Sequence, residues 1–194
     1  MATYYLSPTG NDTTGSGTIG SPWFTLEKAW TVVAAGDTVY MRNGIYQYTT
    51  QQDLNGRNGT AGNLIKVWAY PGETPNIRGE NYVFNVATDQ DLISFTGNYV
   101  HFKGLEISYF EQQPDQSNWF GFRSGDMNNC IVENINYHHN GAAFTVRGDS
   151  TGNLFLNCDF HHMQDPYSDS PYDGADGLGI TYNTNTSSVN TIRN

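Results

Sequence analysis

Four aspartates fall within twelve residues near the end of the chain, and they are the side chains with the clearest capacity for chemistry. Asp165, Asp169, Asp173 and Asp176 lie in the segment Asp-Pro-Tyr-Ser-Asp-Ser-Pro-Tyr-Asp-Gly-Ala-Asp, which contains no basic residue. Carboxylates this close repel one another unless water or a cation lies between them, and hard oxygen ligands suit Ca²⁺. The spacing is not that of an EF-hand. A solvated acidic loop is the alternative, and the segment alone does not separate the two.

Two histidine pairs form a second candidate cluster. His138-His139 and His161-His162 occupy the same place in successive repeats of the sequence. Adjacent side chains of a strand point to opposite faces, so one histidine of each pair is expected to stack on its counterpart. Stacked imidazoles could bind a transition metal or act as an acid–base pair, which makes His138 and His161 the candidate catalytic residues. A polar surface ladder is the alternative, because a histidine pair without a third ligand at a known spacing is not a metal signature.

Aromatic residues near the acidic segment suggest a binding surface for sugars. We expect Tyr109, Phe110, Trp119, Tyr167 and Tyr172 to be exposed at loops or strand ends. Flat rings with polar rims suit the C–H face and the hydroxyls of a pyranose, so Trp119, Tyr167 and Tyr172 are the candidate substrate-binding residues. Ordinary loop packing is the alternative.

Composition narrows the fold and the partners. Charged residues make up 14% of the 194 residues, well under the usual quarter, while Gly, Asn and Thr are abundant, which favours an all-β protein. With 9 basic against 19 acidic residues, the formal net charge of −10 argues against a nucleic-acid partner. An anionic substrate would need a bridging cation.

No apolar stretch approaches the roughly 18 residues of a membrane span. The two cysteines, Cys130 and Cys158, are expected to be unpaired.

An internal repeat predicts the architecture. Three segments that begin at Val100, Cys130 and Asn153 align without gaps, and a fourth begins at Asn190. Their apolar columns alternate with polar ones and then shift phase at a Gly/Asn column. A strand, a one-residue left-handed corner and a second strand would produce this shift, because Gly and Asn tolerate positive φ. The pattern predicts a parallel β-solenoid. A β-sandwich, the alternative, gives no reason for a recurring Asn corner.

One amphipathic helix is expected at the amino-terminal end of the solenoid. Residues 25–34 carry apolar side chains at i, i+3, i+4 and i+7, and this helix would cover the first coil. We expect a single β-helix domain over 1–194, with the first strand and the cap helix in 1–37 and the coils in 38–194. Only five residues of the fourth repeat, 190–194, are present. We therefore expect a domain that is incomplete at its carboxyl-terminal end, or one that self-associates through that end.

Two groups of motifs resemble known proteins. The opening Thr-Tyr-Tyr-Leu-Ser-Pro-Thr-Gly-Asn-Asp and the later Ser-Pro-Trp-Phe-Thr-Leu-Glu-Lys-Ala resemble the start of secreted right-handed parallel β-helix proteins. Asn153-Leu-Phe-Leu-Asn-Cys-Asp-Phe-His-His-Met-Gln-Asp-Pro, followed by Gly174-Ala-Asp-Gly-Leu, is similar to polysaccharide lyase family nine, the pectate and rhamnogalacturonan lyases. This resemblance implies a right-handed parallel β-helix, an extracellular location and calcium-assisted β-elimination of an acidic polysaccharide such as pectate.

The resemblance transfers only part of the family's site. Asp176 carries over as a Ca²⁺ ligand, and Asp173 and Asp165 could join it. The family's Asp-Asp-Gly-x-Asp cluster has no counterpart before Asn194, and the three lysines of the chain lie far upstream. Gly174 stands where the family often has Asn. We therefore expect calcium binding but little or no lyase activity from these residues alone. A non-catalytic polysaccharide-binding module and a self-associating structural β-helix remain alternatives.

Overall fold

The computed structural model describes residues 1–83, 90–111, 119–163, 178–180 and 190–193, and these form one helix and seventeen short strands. The helix, α1, spans Leu26–Trp30. In chain order the strands are β1 (Thr3–Leu6), β2 (Thr38–Met41), β3 (Gly44–Gln47), β4 (Gln52–Leu54), β5 (Ile65–Ala69), β6 (Pro75–Arg78), β7 (Gln90–Asn98), β8 (Val100–Lys103), β9 (Glu106–Ser108), β10 (Trp119–Asn128), β11 (Ile131–Glu133), β12 (Asn136–His138), β13 (Phe144–Val146), β14 (Leu154–Leu156), β15 (Asp159–His161), β16 (Leu178–Ile180) and β17 (Thr191–Arg193).

The strands build three parallel sheets that wrap around one core. Sheet 1 has the order β1-β2-β5-β8-β11-β14-β17, sheet 2 the order β3-β6-β9-β12-β15, and sheet 3 the order β4-β7-β10-β13-β16. From β2 onward, successive strands enter sheets 1, 2 and 3 in turn, so each coil contributes one strand to each sheet. Every pairing between these named strands is parallel, which excludes the sandwich alternative. The predicted right-handed parallel β-helix is confirmed.

The register of the coils matches the aligned columns of the sequence. Val132 lies opposite Phe102 in the preceding coil and Phe155 in the following one. Each of these side chains is at most 3% exposed, so the repeat buries the same position in every coil. Sheet 3 contributes a second stack, in which the rings of Phe122 and Phe144 lie parallel with centroids 4.2 Å apart. Stacked apolar side chains therefore form a continuous core along the solenoid.

Left-handed residues make the corners. Gly104, Asn134 and Asn157 occupy the corner between sheets 1 and 2 with φ values of 73°, 52° and 49°. This confirms the predicted Gly/Asn corner, because only residues that tolerate positive φ fit there without strain. The other two corners are also left-handed in successive coils: Tyr109, His139 and His162 lie between sheets 2 and 3, and Tyr99, Asn129 and Gly152 lie between sheets 3 and 1.

The amino-terminal helix is shorter than the predicted 25–34. It begins after Thr25, whose hydroxyl accepts a hydrogen bond from the Lys28 N–H at 3.0 Å, an N-cap that satisfies a free helix donor. It ends before the run Thr-Val-Val, whose β-branched side chains disfavour helix. Val33 is nevertheless fully buried, so the apolar pattern marked the buried positions correctly. The helix packs against β4 and β1. Among the described residues, no helix has the length and apolar character needed to cross a membrane.

The two cysteines are unpaired, as expected from the sequence. Cys130 is fully buried, and this burial raises the pKa of its thiol to about 11. Burial also raises the pKa of the Cys158 thiol. Both thiols therefore stay protonated at neutral pH, and they act as small packing residues rather than nucleophiles.

Candidate functional site

Four histidines form a ladder at the corner between sheets 2 and 3. His138 in β12 lies opposite His161 in β15, and their rings are parallel within 12° with centroids 5.0 Å apart. His139 and His162 stack in the same way, with centroids 5.2 Å apart. We call these four residues the histidine ladder. The predicted stacking of one histidine of each pair is confirmed by His138 and His161, and the second histidines of the pairs stack as well. His139 and His162 are left-handed, so they leave the strand and do not alternate with their neighbours.

The two imidazoles of the first pair face each other through their Nδ1 atoms. Nδ1 of His138 lies 2.7 Å from Nδ1 of His139, so one of the two nitrogens carries a proton and the other accepts it. Nε2 of His138 lies 3.1 Å from Oε1 of Glu106. An ionised carboxylate has no proton to donate, so this oxygen accepts the hydrogen bond and Nε2 donates it. In its neutral form His138 is therefore protonated on Nε2, and its Nδ1 lone pair accepts the hydrogen bond from Nδ1–H of His139.

The second pair repeats this arrangement one coil later. Nδ1 of His161 lies 2.5 Å from Nδ1 of His162, and Nε2 of His161 lies 3.0 Å from Oδ1 of Asn136. The acceptor here is a neutral amide, whereas the first pair has a carboxylate. Burial, followed by the nearby charges of the other ladder histidines, lowers the pKa of His139, so that imidazole is neutral at pH 7.

Further side chains hold the ladder in place. The Nδ2 amide of Asn76 donates to Oε1 of Glu106 at 2.5 Å, and the hydroxyl of Ser108 donates to Oδ1 of Asn76 at 2.9 Å. Both Asn76 and Ser108 are buried, so their side chains have little freedom to move and they hold the Glu106 carboxylate in one orientation. On the outer side, the ring of Tyr109 stacks on His139 with centroids 5.0 Å apart. The ladder is therefore a preorganised surface.

Sheet 3 carries a cationic cluster that the sequence reasoning missed. The guanidinium groups of Arg123 and Arg147 each lie 4.9 Å from the ring centroid of Phe120. Arg123 also forms an ion pair with Asp91, whose Oδ1 lies 2.6 Å from Nε. We call these four residues the arginine cluster. Among the ion pairs formed by described residues, none involves Arg147. The register of β10 and β13 was the available signal, because Arg123 lies opposite Thr145, two residues before Arg147.

Two of the predicted exposed aromatics are buried. Trp119 and Phe110 are both 0% exposed, and their ring centroids are 5.9 Å apart in the core. The prediction that they are exposed was wrong, because both side chains point inward beside the corner between sheets 2 and 3. A buried indole offers no face to a sugar. Tyr109 is half-buried, as its place at the corner requires.

The remaining predicted site residues lie outside the described residues. They are the calcium-ligand candidates Asp165, Asp173 and Asp176, the neighbouring Asp169, and the sugar-binding candidates Tyr167 and Tyr172. Within the described ranges, no group of three or more His, Cys, Asp or Glu side chains has the arrangement of a metal site. The histidine ladder provides two nitrogens in each coil.

Comparison with known proteins gives the family. Residues 4–194 match the family model described as the Pel9A-like, right handed beta helix region. The chain belongs to this family. This Pel9A-like region is 29% identical over 179 residues to pectate lyase PEL9 of Emericella nidulans, covering 91% of the chain and 43% of that protein. It is 32% identical over 181 residues to pectate lyase L of Paenibacillus polymyxa, covering 88% of the chain and 38% of that protein.

Solved structures give the same fold for the Pel9A-like region. A rhamnogalacturonan lyase superposes with a TM-score of 0.76 at 24% identity, over 100% of this chain and 50% of that chain. Pectate lyase Pel9A superposes with a TM-score of 0.58 at 17% identity, over 100% of this chain and 62% of that chain. The chain thus spans less than half the length of the two pectate lyases it matches in sequence. At these identities the superpositions show the fold alone.

Proposed function

We propose that this Pel9A-like region belongs to a polysaccharide lyase that cleaves an acidic polysaccharide such as pectate by calcium-assisted β-elimination. The observation that carries the proposal is the match of 4–194 to the Pel9A-like family, together with two relatives named as pectate lyases. Because such a polymer lies outside the cell, the proposal includes secretion. The boundaries expected above, with a cap in 1–37 and coils in 38–194, are part of the same proposal.

The acidic segment would hold the calcium ion. Its donors are carboxylates without a basic neighbour, and this set of hard oxygen ligands fits Ca²⁺. Asp176 would be one ligand, with Asp173 and Asp165 beside it. Bound Ca²⁺ would neutralise the uronate carboxylate and so make the adjacent C–H more acidic.

The arginine cluster supports an anionic substrate on this acidic chain. Arg147 is held against Phe120 without an ion pair among the described residues, so its guanidinium can take a carboxylate from outside. A planar guanidinium suits a carboxylate because it donates two parallel hydrogen bonds. Arg123 is already neutralised by Asp91 and would mainly help to hold Phe120. We propose that Arg147 binds a uronate carboxylate.

The ladder histidines are poorly placed to abstract the proton. Both ring nitrogens of His138 have partners, Glu106 and His139, and both nitrogens of His161 have partners as well. A general base needs a free lone pair within reach of the substrate. We therefore assign no base to His138 or His161, although the sequence made them the candidates.

The test uses the 194-residue chain with polygalacturonate and Ca²⁺. We expect Ca²⁺-dependent retention in gels that contain polygalacturonate, and we expect Asp176→Ala to weaken both this retention and calorimetric Ca²⁺ binding. Glu27→Ala, which removes an exposed carboxylate from the capping helix, is the matched control. Ultraviolet absorbance of the unsaturated product reports cleavage.

Each outcome separates the proposal from its alternatives. Retention without product supports polysaccharide binding by this region and shows that residues 1–194 alone do not supply the base; the same assay on a longer chain then separates a lyase from a non-catalytic binding module. Ca²⁺-dependent product formation shows that a base is present within these residues. Absence of both Ca²⁺ binding and retention contradicts the proposal and favours the structural β-helix, for which light scattering should show self-association.

A further inference from the structure

We propose that the histidine ladder is a transition-metal site, in which His138 and His139 bind an ion such as Zn²⁺ or Cu²⁺ through their Nδ1 atoms. The proposed ligands are not residues of the acidic segment, and the proposal does not depend on the proposed lyase function. The ladder holds four of the five histidines of the chain, and His101 is the fifth. Its position on the corner between sheets 2 and 3 leaves His162 exposed and His139 and His161 half-buried, so ions in solution can reach it.

The hydrogen-bond partners of His138 prepare it as a metal ligand. Glu106 accepts from Nε2–H at 3.1 Å, which fixes the tautomer and leaves the lone pair of Nδ1 directed at His139. A carboxylate behind a ligating histidine orients the ring and increases its basicity. Asn76 holds Glu106 in turn, so the carboxylate does not have to be ordered when the ion binds.

The distance between the two nitrogens suits a chelate after a small adjustment. Zinc–nitrogen bonds of about 2.0–2.1 Å in a tetrahedral site place two nitrogens about 3.3 Å apart. The Nδ1 atoms of His138 and His139 are 2.7 Å apart, so the pair has to open by about 0.6 Å. Small rotations of two side chains provide this, and His139 lies on the accessible side. Water molecules complete the coordination.

Binding of the ion takes up and releases no net proton, because water can take the Nδ1 proton of His139 and return one to its Nε2. In the metal-free pair, neutral His138 carries its proton on Nε2, and neutral His139 carries its proton on Nδ1 and donates it to His138. When the ion binds, the proton of His139 moves to its Nε2 and the freed Nδ1 lone pair enters the coordination sphere. The metal thus replaces one hydrogen bond with two nitrogen–metal bonds.

The second pair should bind more weakly than the first. His161 donates from Nε2 to the neutral amide oxygen of Asn136, and the exposed carboxylate of Asp159 lies 3.9 Å from that nitrogen, beyond hydrogen-bond distance, whereas His138 donates to a carboxylate. A neutral acceptor increases the basicity of the ligating nitrogen less. An ion on the first pair would also repel a second ion one coil away. We therefore expect one tight ion per chain, with Cu²⁺ held more tightly than Zn²⁺.

The experiment titrates the 194-residue chain with Zn²⁺ and Cu²⁺ against a chromophoric chelator. His139→Asn removes one ligand while keeping a residue that tolerates the left-handed corner, and it should weaken Zn²⁺ binding at least tenfold. Glu106→Gln should weaken binding by about tenfold, as loss of a carboxylate behind a ligand usually does. His101→Asn, the histidine outside the ladder, and Asp176→Ala, in the acidic segment, should leave Zn²⁺ affinity unchanged.

A spectroscopic measurement keeps the proposal testable if a variant fails to fold. The electron paramagnetic resonance spectrum of the Cu²⁺-loaded wild-type chain should show hyperfine coupling to two imidazole nitrogens, and His139→Asn should reduce this to one. Near-ultraviolet circular dichroism checks that each variant keeps its core. A wild-type spectrum without nitrogen coupling, or equal Zn²⁺ affinity in the wild type and a folded His139→Asn variant, would overturn the proposal.

Discussion

Asn134 and Asn157 lie at the same corner in adjacent coils, with left-handed φ values of 52° and 49°. The N–H of Asn134 donates to the carbonyl of Leu156 at 2.9 Å, the residue just before Asn157, so the corners of the two coils are joined by a backbone hydrogen bond. The fold needs a left-handed residue here in each coil, and asparagine is the non-glycine residue that tolerates this conformation best.

We expect Asn134→Ala to lower the free energy of unfolding by about 1–2 kcal/mol, because alanine pays the full cost of the left-handed conformation. Asn134→Gly removes the same side chain without that cost, so its free energy of unfolding should fall by less than that of Asn134→Ala. Urea denaturation followed by circular dichroism measures both values. Equal losses for Ala and Gly would show that the side-chain amide, rather than the backbone conformation, determines the effect.

Phe144 links the core contributed by sheets 1 and 3. It is 1% exposed, lies parallel to Phe122, and contacts the ring of Phe155 edge-on. We expect Phe144→Ala to cost about 3–5 kcal/mol, because it removes buried apolar surface and leaves a cavity. Ile45→Ala, at a position that is 49% exposed, should change stability by less than about 0.5 kcal/mol. Thermal or urea unfolding of the pair tests this difference.

The ion pairs of Glu133 predict a pH dependence of stability. Burial raises the pKa of Glu133, but the hydrogen bond and charge of Lys103, at 2.8 Å, and those of His101, at 3.0 Å, outweigh it, so the pKa is lowered. A lowered carboxyl pKa adds stability that is full above the ordinary value of 4.5 and is lost as the pH falls below it.

Glu133→Gln should therefore be less stable than the wild type at pH 7, and this difference should shrink as the pH falls below 4.5. Urea unfolding at pH 7, 5 and 3 measures it. A difference that stays constant over this range would mean that Glu133 acts through packing rather than through its charge.

The proposed role of Arg147 gives a binding prediction. We expect Arg147→Ala to weaken retention by polygalacturonate about tenfold, because a hydrogen bond between charged groups contributes about 1.5–3 kcal/mol. Lys66→Ala removes the same charge from sheet 1 and serves as the control. Retention should also fall with added salt. Equal effects of the two substitutions would indicate a general charge effect rather than a carboxylate site.

The sequence by itself determined the fold, because each coil repeats the same buried and corner positions. Val132 and Phe155 align in the sequence and pair in the structure. Asn134 and Asn157 predict left-handed corners because asparagine tolerates positive φ, and both residues have it. The sequence pattern predicted the helix but placed its carboxyl-terminal end too late, because the buried Val33 continues the apolar pattern after the helix has ended at Trp30.

Tertiary structure alone decided the arrangement of the site. Alternation along a strand predicts that His138 and His139 point apart, yet the corner turns them toward each other, because φ of His139 is positive. Alternation also gives no direction for Trp119, which lies beside a corner and points into the core. Glu106 reaches His138 only through the pairing of adjacent coils. Such contacts join residues about thirty positions apart, so they follow from coil stacking and not from local pattern.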